Sequence, residues 1–124
     1  ISGLNSQSEV LGFAALKGEF LLSEVEQQLA NIGLPHLKNY SINNEYTFGG
    51  YAKYDDALID FINTFKATYD VPLDPIYTGK MMYGLMDMIR QGKFDEGTKI
   101  LAIHTGGLQG IQGFNERFGA IIDN

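Results

Sequence analysis

Apolar positions in this chain follow two rhythms, short unbroken runs and repeats at spacings of three and four. The run from Glu9 to Ala15, with Val10, Leu11 and Phe13, lies between a Ser/Asn-rich approach and the Lys17-Gly18 turn. A short apolar run with such boundaries predicts a buried strand, whose natural setting is a parallel sheet. Leu21, Leu22, Val25 and Leu29 then recur at helical spacing, with Glu24 and Glu26 to Gln28 facing outward and Gly33 and Pro35 supplying the stop. Asn39 to Asn43 predicts a brief second strand. The loop from Asn44 to Lys53 follows, aromatic through Tyr46, Phe48, Tyr51 and the adjoining Tyr54, and its Gly49-Gly50 step lets the backbone approach something closely.

Asp55 or Asp56 caps the next helix, in which Leu58, Phe61, Ile62 and Phe65 form one apolar stripe. That helix must end near Tyr69, because the residue before Pro72 is pushed out of the α region. A further helix runs from about Gly79 to Gln91 with Met82, Leu85, Met86 and Ile89 inward, and the turn Asp95-Glu96-Gly97 leads to a strand from Lys99 to His104. The order β-α-β-α-α-β with short connections predicts an α/β fold, an open parallel sheet with flanking helices. No internal repeat, linker or low-complexity segment interrupts it.

Composition narrows what such a fold can do. With 124 residues, 44% hydrophobic and 19% charged, there is apolar material for one core, so residues 1–124 form one domain or a piece of one. The formal net charge is -6 and the nine basic residues are scattered, so the electrostatic footprint of a nucleic-acid partner is missing. Cysteine is absent and the two histidines, His36 and His104, lack ligand-like spacing, so no metal is expected. No apolar run approaches the roughly 18 residues of a membrane span. Ile1-Ser2-Gly3-Leu4-Asn5 has neither an initiator Met nor a basic leader. The expectation is a cytoplasmic protein without membrane contact, from a chain that begins mid-protein.

Candidate chemistry concentrates in two motifs. Asp55-Asp56 precedes a helix instead of ending a strand, which favours capping over an acidic metal or phosphoacceptor pocket. The methionines Met81, Met82, Met86 and Met88 read as core filler. Pro72-Leu73-Asp74-Pro75-Ile76-Tyr77-Thr78-Gly79-Lys80 is different, for it is a Pro-stiffened loop that brings an aromatic and an aliphatic hydroxyl to a helix N-terminus. Thr78 either caps that helix or offers its hydroxyl to a ligand. Ile100-Leu101-Ala102-Ile103-His104-Thr105-Gly106-Gly107 puts a glycine pair at the carboxyl end of the predicted strand, where open α/β sheets bind ligands.

At Asp74-Pro75-Ile76-Tyr77-Thr78-Gly79-Lys80, the helix after it, and Ile103-His104-Thr105-Gly106-Gly107, the chain resembles a known family, with weaker similarity at Ser6 to Phe13 and Gly50-Tyr51. It is similar to pyridoxal-phosphate enzymes of the tryptophan-synthase-β fold, in the 1-aminocyclopropane-1-carboxylate deaminase and D-cysteine desulfhydrase branch. The resemblance implies the C-terminal part of a cofactor-binding domain, with Tyr51 and Tyr77 as catalytic residues near a small amino-acid substrate. It implies Thr78 beside the pyridine nitrogen, His104, Gly106 and Gly107 against the cofactor, and a homodimer in the intact enzyme. A neutral Thr78 makes the cofactor a weaker electron sink. The resemblance implies an acidic residue at this position in members that open the cyclopropane ring and Thr in the desulfhydrases, so Thr78 tilts the expectation toward β-elimination from a small D-amino acid.

The resemblance also implies that the Schiff-base lysine and the phosphate cradle lie upstream, with Ile1-Ser2-Gly3-Leu4 in the helix just after the cradle. None of Lys17, Lys38, Lys53, Lys66, Lys80, Lys93 and Lys99 is then the Schiff-base residue, and the isolated chain is expected to be inactive. Two rival expectations differ in kind: a free-standing small α/β ligand-binding module without catalysis, and an interaction piece using the loop Tyr46 to Tyr54.

Overall fold

β-Branched and aromatic residues pair into a sheet only where a neighbouring backbone completes the ladder, and here the first two apolar runs find each other. The computed structural model describes residues 7–123, so the expectation for Ile1-Ser2-Gly3-Leu4 lies outside the described residues. Strand β1 (Val10–Phe13) and strand β2 (Tyr40–Asn43) form a parallel pair in the register Val10 to Tyr40 through Phe13 to Asn43. A parallel pair needs a crossover, and helix α1 (Phe20–Asn31) supplies it. Its apolar stripe is only half covered. Leu21, Val25 and Leu29 are partly buried, and no residue of α1 is fully buried.

Helix α2 (Asp56–Tyr69) starts as its sequence demands. Asp55 Oδ1 accepts the Leu58 N–H at 2.9 Å, so Asp55 is the cap and Asp56 stands in the first turn, where a carboxylate suits the positive end of the helix dipole. The helix stops at Asp70, whose φ of 54° is left-handed, with its N–H on the Lys66 carbonyl. Leu58, Ile59 and Ile62 from α2 join Leu73, Ile111, Phe114 and Ile122 in the main core.

Helix α3 (Thr78–Arg90) packs on α2 and β1 through small and polar residues. Its buried positions are Thr78, Gly79, Lys80, Gly84 and Leu85; Met82 and Met86 are partly buried, and Ile89 is exposed. A Cβ at Gly84 would lie 2.6 Å from the Phe13 ring and 2.8 Å from the Tyr46 ring, so this glycine sets how closely α3 approaches the sheet.

Two elements depart from the pattern. The expected strand from Lys99 to His104 is not formed: these residues are irregular, and Leu101 and Ile103 are 77% and 57% exposed. β1 and β2 are committed to each other, and among the described residues no strand lies beside 99–104 to complete a ladder. Helix α4 (Gln109–Phe118) was not expected. Gly110 and Gly113 each weaken it locally, and burial of Ile111 and Phe114 outweighs them.

Candidate active-site wall

Tertiary structure brings the two motifs together on a residue that neither prediction singled out. Asp74 is 1% exposed. Its Oδ2 accepts the N–H groups of Ile76 and Tyr77, each at 2.8 Å, while Oδ1 accepts the Thr78 N–H at 2.8 Å and the Thr78 hydroxyl at 2.7 Å. One carboxylate thus satisfies the first N–H of α3 and the two N–H groups just before it, close to the service a capping residue normally renders. From the other motif, Gly107 lies close to the same group: a Cβ there would stand 3.2 Å from Asp74 Oδ1. An acid three and four residues ahead of Tyr77 and Thr78 is the one sequence signal from which this role could have been read.

Thr78 is consequently not the cap. It is the first residue of α3, 1% exposed, and its Oγ1 donates to Asp74 Oδ1 while accepting the Asp74 N–H at 2.9 Å. The hydroxyl hydrogen is spent inward, so toward anything else Thr78 has only a lone pair to offer.

His104 ties the motifs together a second time. Its Nε2 lies 2.9 Å from the Pro72 carbonyl, and its Nδ1 accepts the Gly106 N–H at 3.1 Å. Both bonds at once define the neutral tautomer with hydrogen on Nε2. Gly106 follows with φ of 93°, and a Cβ there would meet nothing, so its backbone borders open space.

Tyr51 and Tyr77 meet from opposite sides. They are 54% and 50% exposed, their rings stand edge to face with centroids 6.2 Å apart, and the Tyr77 hydroxyl donates to Tyr51 at 3.3 Å. That hydrogen bond, more than burial, pushes the Tyr77 phenol above its ordinary range. With Tyr77 donating, the Tyr51 hydroxyl hydrogen is left to point outward, which suits binding a carboxylate or passing a proton.

The loop that carries Tyr51 is shaped by left-handed backbone. Phe48, Gly49, Gly50 and Ala52 have φ of 54°, 100°, 128° and 55°. Lys80, 1% exposed, donates to the carbonyls of Thr47 and Gly50 at 2.9 Å each. Burial pulls its ammonium below the ordinary lysine range, against the opposing pull of the Asp74 charge. Nothing in the sequence marked this lysine as interior, since Lys is seldom buried without partners that only the fold supplies. Beside the loop an open cleft of about 410 Å³ is lined by Glu45, Tyr46, Thr47, Phe48, Asp55, Tyr83 and Asp87, with the Tyr46 hydroxyl donating to Asp87 at 2.7 Å. Among the described residues no cluster of three or more acidic or histidine side chains is arranged to hold a metal, and no helix is long and apolar enough to cross a membrane.

Comparison with known proteins gives a consistent answer. No family model matches the chain. A protein named putative 1-aminocyclopropane-1-carboxylate deaminase from Pyrococcus furiosus is 36% identical over 120 residues, which are 92% of this chain and 36% of that protein. A similarly named protein from Pyrococcus abyssi is 43% identical over 72 residues, 58% of this chain and 21% of its own length. A 1-aminocyclopropane-1-carboxylate deaminase from Pseudomonas syringae is 32% identical over 77 residues, 62% of this chain and 23% of its own. The crystal structure of an ACC deaminase homologue superposes with a TM-score of 0.78 at 30% identity, covering 98% of this chain and 38% of that one. The matched stretch therefore spans from about a fifth to little more than a third of the length of these relatives. By sequence over nine-tenths of its length and by fold over nearly all of it, the chain belongs to the 1-aminocyclopropane-1-carboxylate deaminase family, as a segment of that fold.

Proposed function

We propose that this chain supplies one wall of the active site of a pyridoxal-phosphate-dependent enzyme that releases ammonia and a 2-oxo acid from a small amino acid. The observation that carries this is the exposed hydroxyl pair Tyr51 and Tyr77, 3.3 Å apart and joined through Asp74 to the Gly106-Gly107 turn. The residues present fit one side of such a site. Open backbone at Gly106 accommodates a flat ring, and the paired phenols suit a substrate carboxylate. Lys80 Nζ is committed to two carbonyls and is not free to serve as the attachment lysine. The lysine and the phosphate cradle belong, on this proposal, to the part of the relatives' length that this chain does not span.

When bound, the cofactor supplies the electron sink for bond cleavage next to the amino carbon. The chain's own residues do the rest. Tyr77 and Tyr51 hold the substrate carboxylate and move a proton at the phenolic oxygens. Asp74 holds the Thr78 hydroxyl inward, and a neutral residue where the resemblance implies an acid in cyclopropane-opening members leans the chemistry toward β-elimination from a small D-amino acid. His104 keeps the glycine turn in place. In the intact enzyme the arrangement is that of a homodimer.

The test compares the 124-residue chain with the full-length polypeptide that carries it, each with added cofactor. Pyruvate release is followed from D-cysteine and 2-oxobutyrate release from 1-aminocyclopropane-1-carboxylate. The chain alone should be inert and the full-length polypeptide active, with Tyr51→Phe and Tyr77→Phe each lowering kcat/KM by about a hundredfold or more. Turnover by the isolated chain, or a full-length enzyme indifferent to both substitutions, would count against the proposal.

A further inference from the structure

Tyr51 and Tyr77 are both about half exposed, and the ring contact of Tyr51 is with Tyr77. Surface packing of this kind does not hold two phenols in register; the backbones beneath must. On one side that backbone is the Asp74-capped start of α3. On the other it is the loop in which four of the five residues from Phe48 to Ala52 have positive φ. Two of them, Phe48 and Ala52, carry side chains in a left-handed conformation that is strained for any residue with a Cβ. Such a loop persists only when its surroundings over-determine it.

The loop's own bonds are two consecutive turns, Gly50 N–H to the Thr47 carbonyl and Lys53 N–H to the Gly50 carbonyl, each at 3.1 Å. Lys80 donates to those same two carbonyl oxygens. It therefore closes both turns from below, using the second lone pair of each oxygen. Gly50 is the residue before Tyr51, and Lys80 stands one turn of α3 past Tyr77, so a single buried ammonium ties the backbone of one phenol to the helix of the other.

We propose that Lys80 is a positioning residue, a buried latch that holds the Phe48 to Ala52 loop on α3 and so sets the Tyr51–Tyr77 hydroxyl pair. This inference deepens the proposed function and rests on it for its catalytic consequence, whereas the latch itself stands on the geometry alone. The two parts are tested separately.

Trypsin digestion of the full-length polypeptide that carries the chain reads the latch, because Lys53 closes the loop. In Lys80→Met, cleavage after Lys53 should accelerate about tenfold, the factor that corresponds to about 1.4 kcal/mol of lost local closure. Cleavage after Lys93 and Lys99 should not change. Lys80→Arg, which keeps donors for both carbonyls, should restore most of the protection. If Lys80→Met does not fold, Lys80→Gln, with one short donor arm, is read the same way. An unchanged rate at Lys53, or equal acceleration at all sites, overturns the latch.

In the full-length enzyme, Lys80→Met and Tyr51→Phe should be non-additive, the double variant losing no more than the worse single one, because Lys80 acts through Tyr51. Multiplied losses would mean that Lys80 acts elsewhere and refute the positioning role. Absence of deaminase or desulfhydrase turnover in the unaltered enzyme would sink the proposed function and leave the proteolysis result to decide the latch.

Discussion

Replacing Asp74 by alanine should be among the most costly single changes in the chain. The substitution strips the acceptor from three backbone N–H groups and one hydroxyl at 2.7–2.8 Å. Two of these donors, the N–H and hydroxyl of Thr78, belong to a residue only 1% exposed and cannot turn to water. Each buried donor left unpaired costs about 1–3 kcal/mol, so the pair contributes about 4 kcal/mol at mid-range. The N–H groups of Ile76 and Tyr77 lie nearer solvent and add the smaller loss of an uncapped helix start, roughly 1 kcal/mol. Rotation of the Thr78 hydroxyl recovers part of this, leaving about 3–4 kcal/mol against a typical domain stability of 5–15 kcal/mol. Asp74→Asn keeps one acceptor oxygen but turns an NH2 group toward two N–H donors, and should cost about half as much. Thr78→Val removes one donor and one acceptor together and should cost about 1–2 kcal/mol. Urea unfolding followed by far-ultraviolet circular dichroism measures all three. The ordering Ala, then Asn, then Val is the signature of the carboxylate as cap. If the Ala and Asn variants both stay within about 1 kcal/mol of the parent, the carboxylate does not hold the start of α3.

Gly84→Ala should destabilise by about 1–3 kcal/mol, read as a lower thermal midpoint, because its Cβ would stand within 2.6 Å of Phe13 and 2.8 Å of Tyr46 and α3 would have to move off the sheet. An unchanged midpoint would show that α3 is not seated there. Tyr46 should make stability fall at high pH. Its hydrogen bond to Asp87, with burial second, pushes the phenol up to about 12 from an ordinary value near 10. The folded chain holds that proton more tightly than the unfolded one, so the contribution is complete below about pH 10 and fades as pH rises toward 12. Because the phenol lines an open cleft, we size the contribution at about 1 kcal/mol and not the full value of the shift. Tyr46→Phe should flatten that part of the stability profile, and an equally steep fall in the variant would assign it to another group.

The helices that were legible in the sequence are those whose own residues decide them. For α2, the Asp55 cap and the stripe Leu58, Phe61, Ile62 and Phe65 agree with the observed cap and with a face that is buried or partly buried. β1 was legible because it is a short apolar run between turn residues, and β2 as a brief segment in which Tyr40 and Ile42 alternate with Ser41 and Asn43. What was not legible depends on partners distant in sequence. α4 is held by Ile111 and Phe114 entering a core that their neighbours Gly110 and Gly113 do not announce. The 99–104 segment has a strand's composition, but a strand is a property of two backbones. At the site, Tyr51, Tyr77, His104, Gly106 and Gly107 do gather around one loop and helix start, and the resemblance, not periodicity, connected them. Asp74 escaped notice because a buried acid between two prolines reads as a turn residue. Lys80 escaped because its two acceptors lie 30 and 33 residues earlier in the chain.

The contact between Gly107 and Asp74 has a consequence for how sequences of this family can diverge. A side chain at position 107 would push a Cβ to 3.2 Å from a carboxylate oxygen whose every hydrogen bond is in use, at a φ of 81° that disfavours any residue but glycine. The acid cannot shift aside without releasing α3. Change at position 107 is therefore conditional on position 74, and homologues with a side chain at 107 should carry a shorter or uncharged residue at 74.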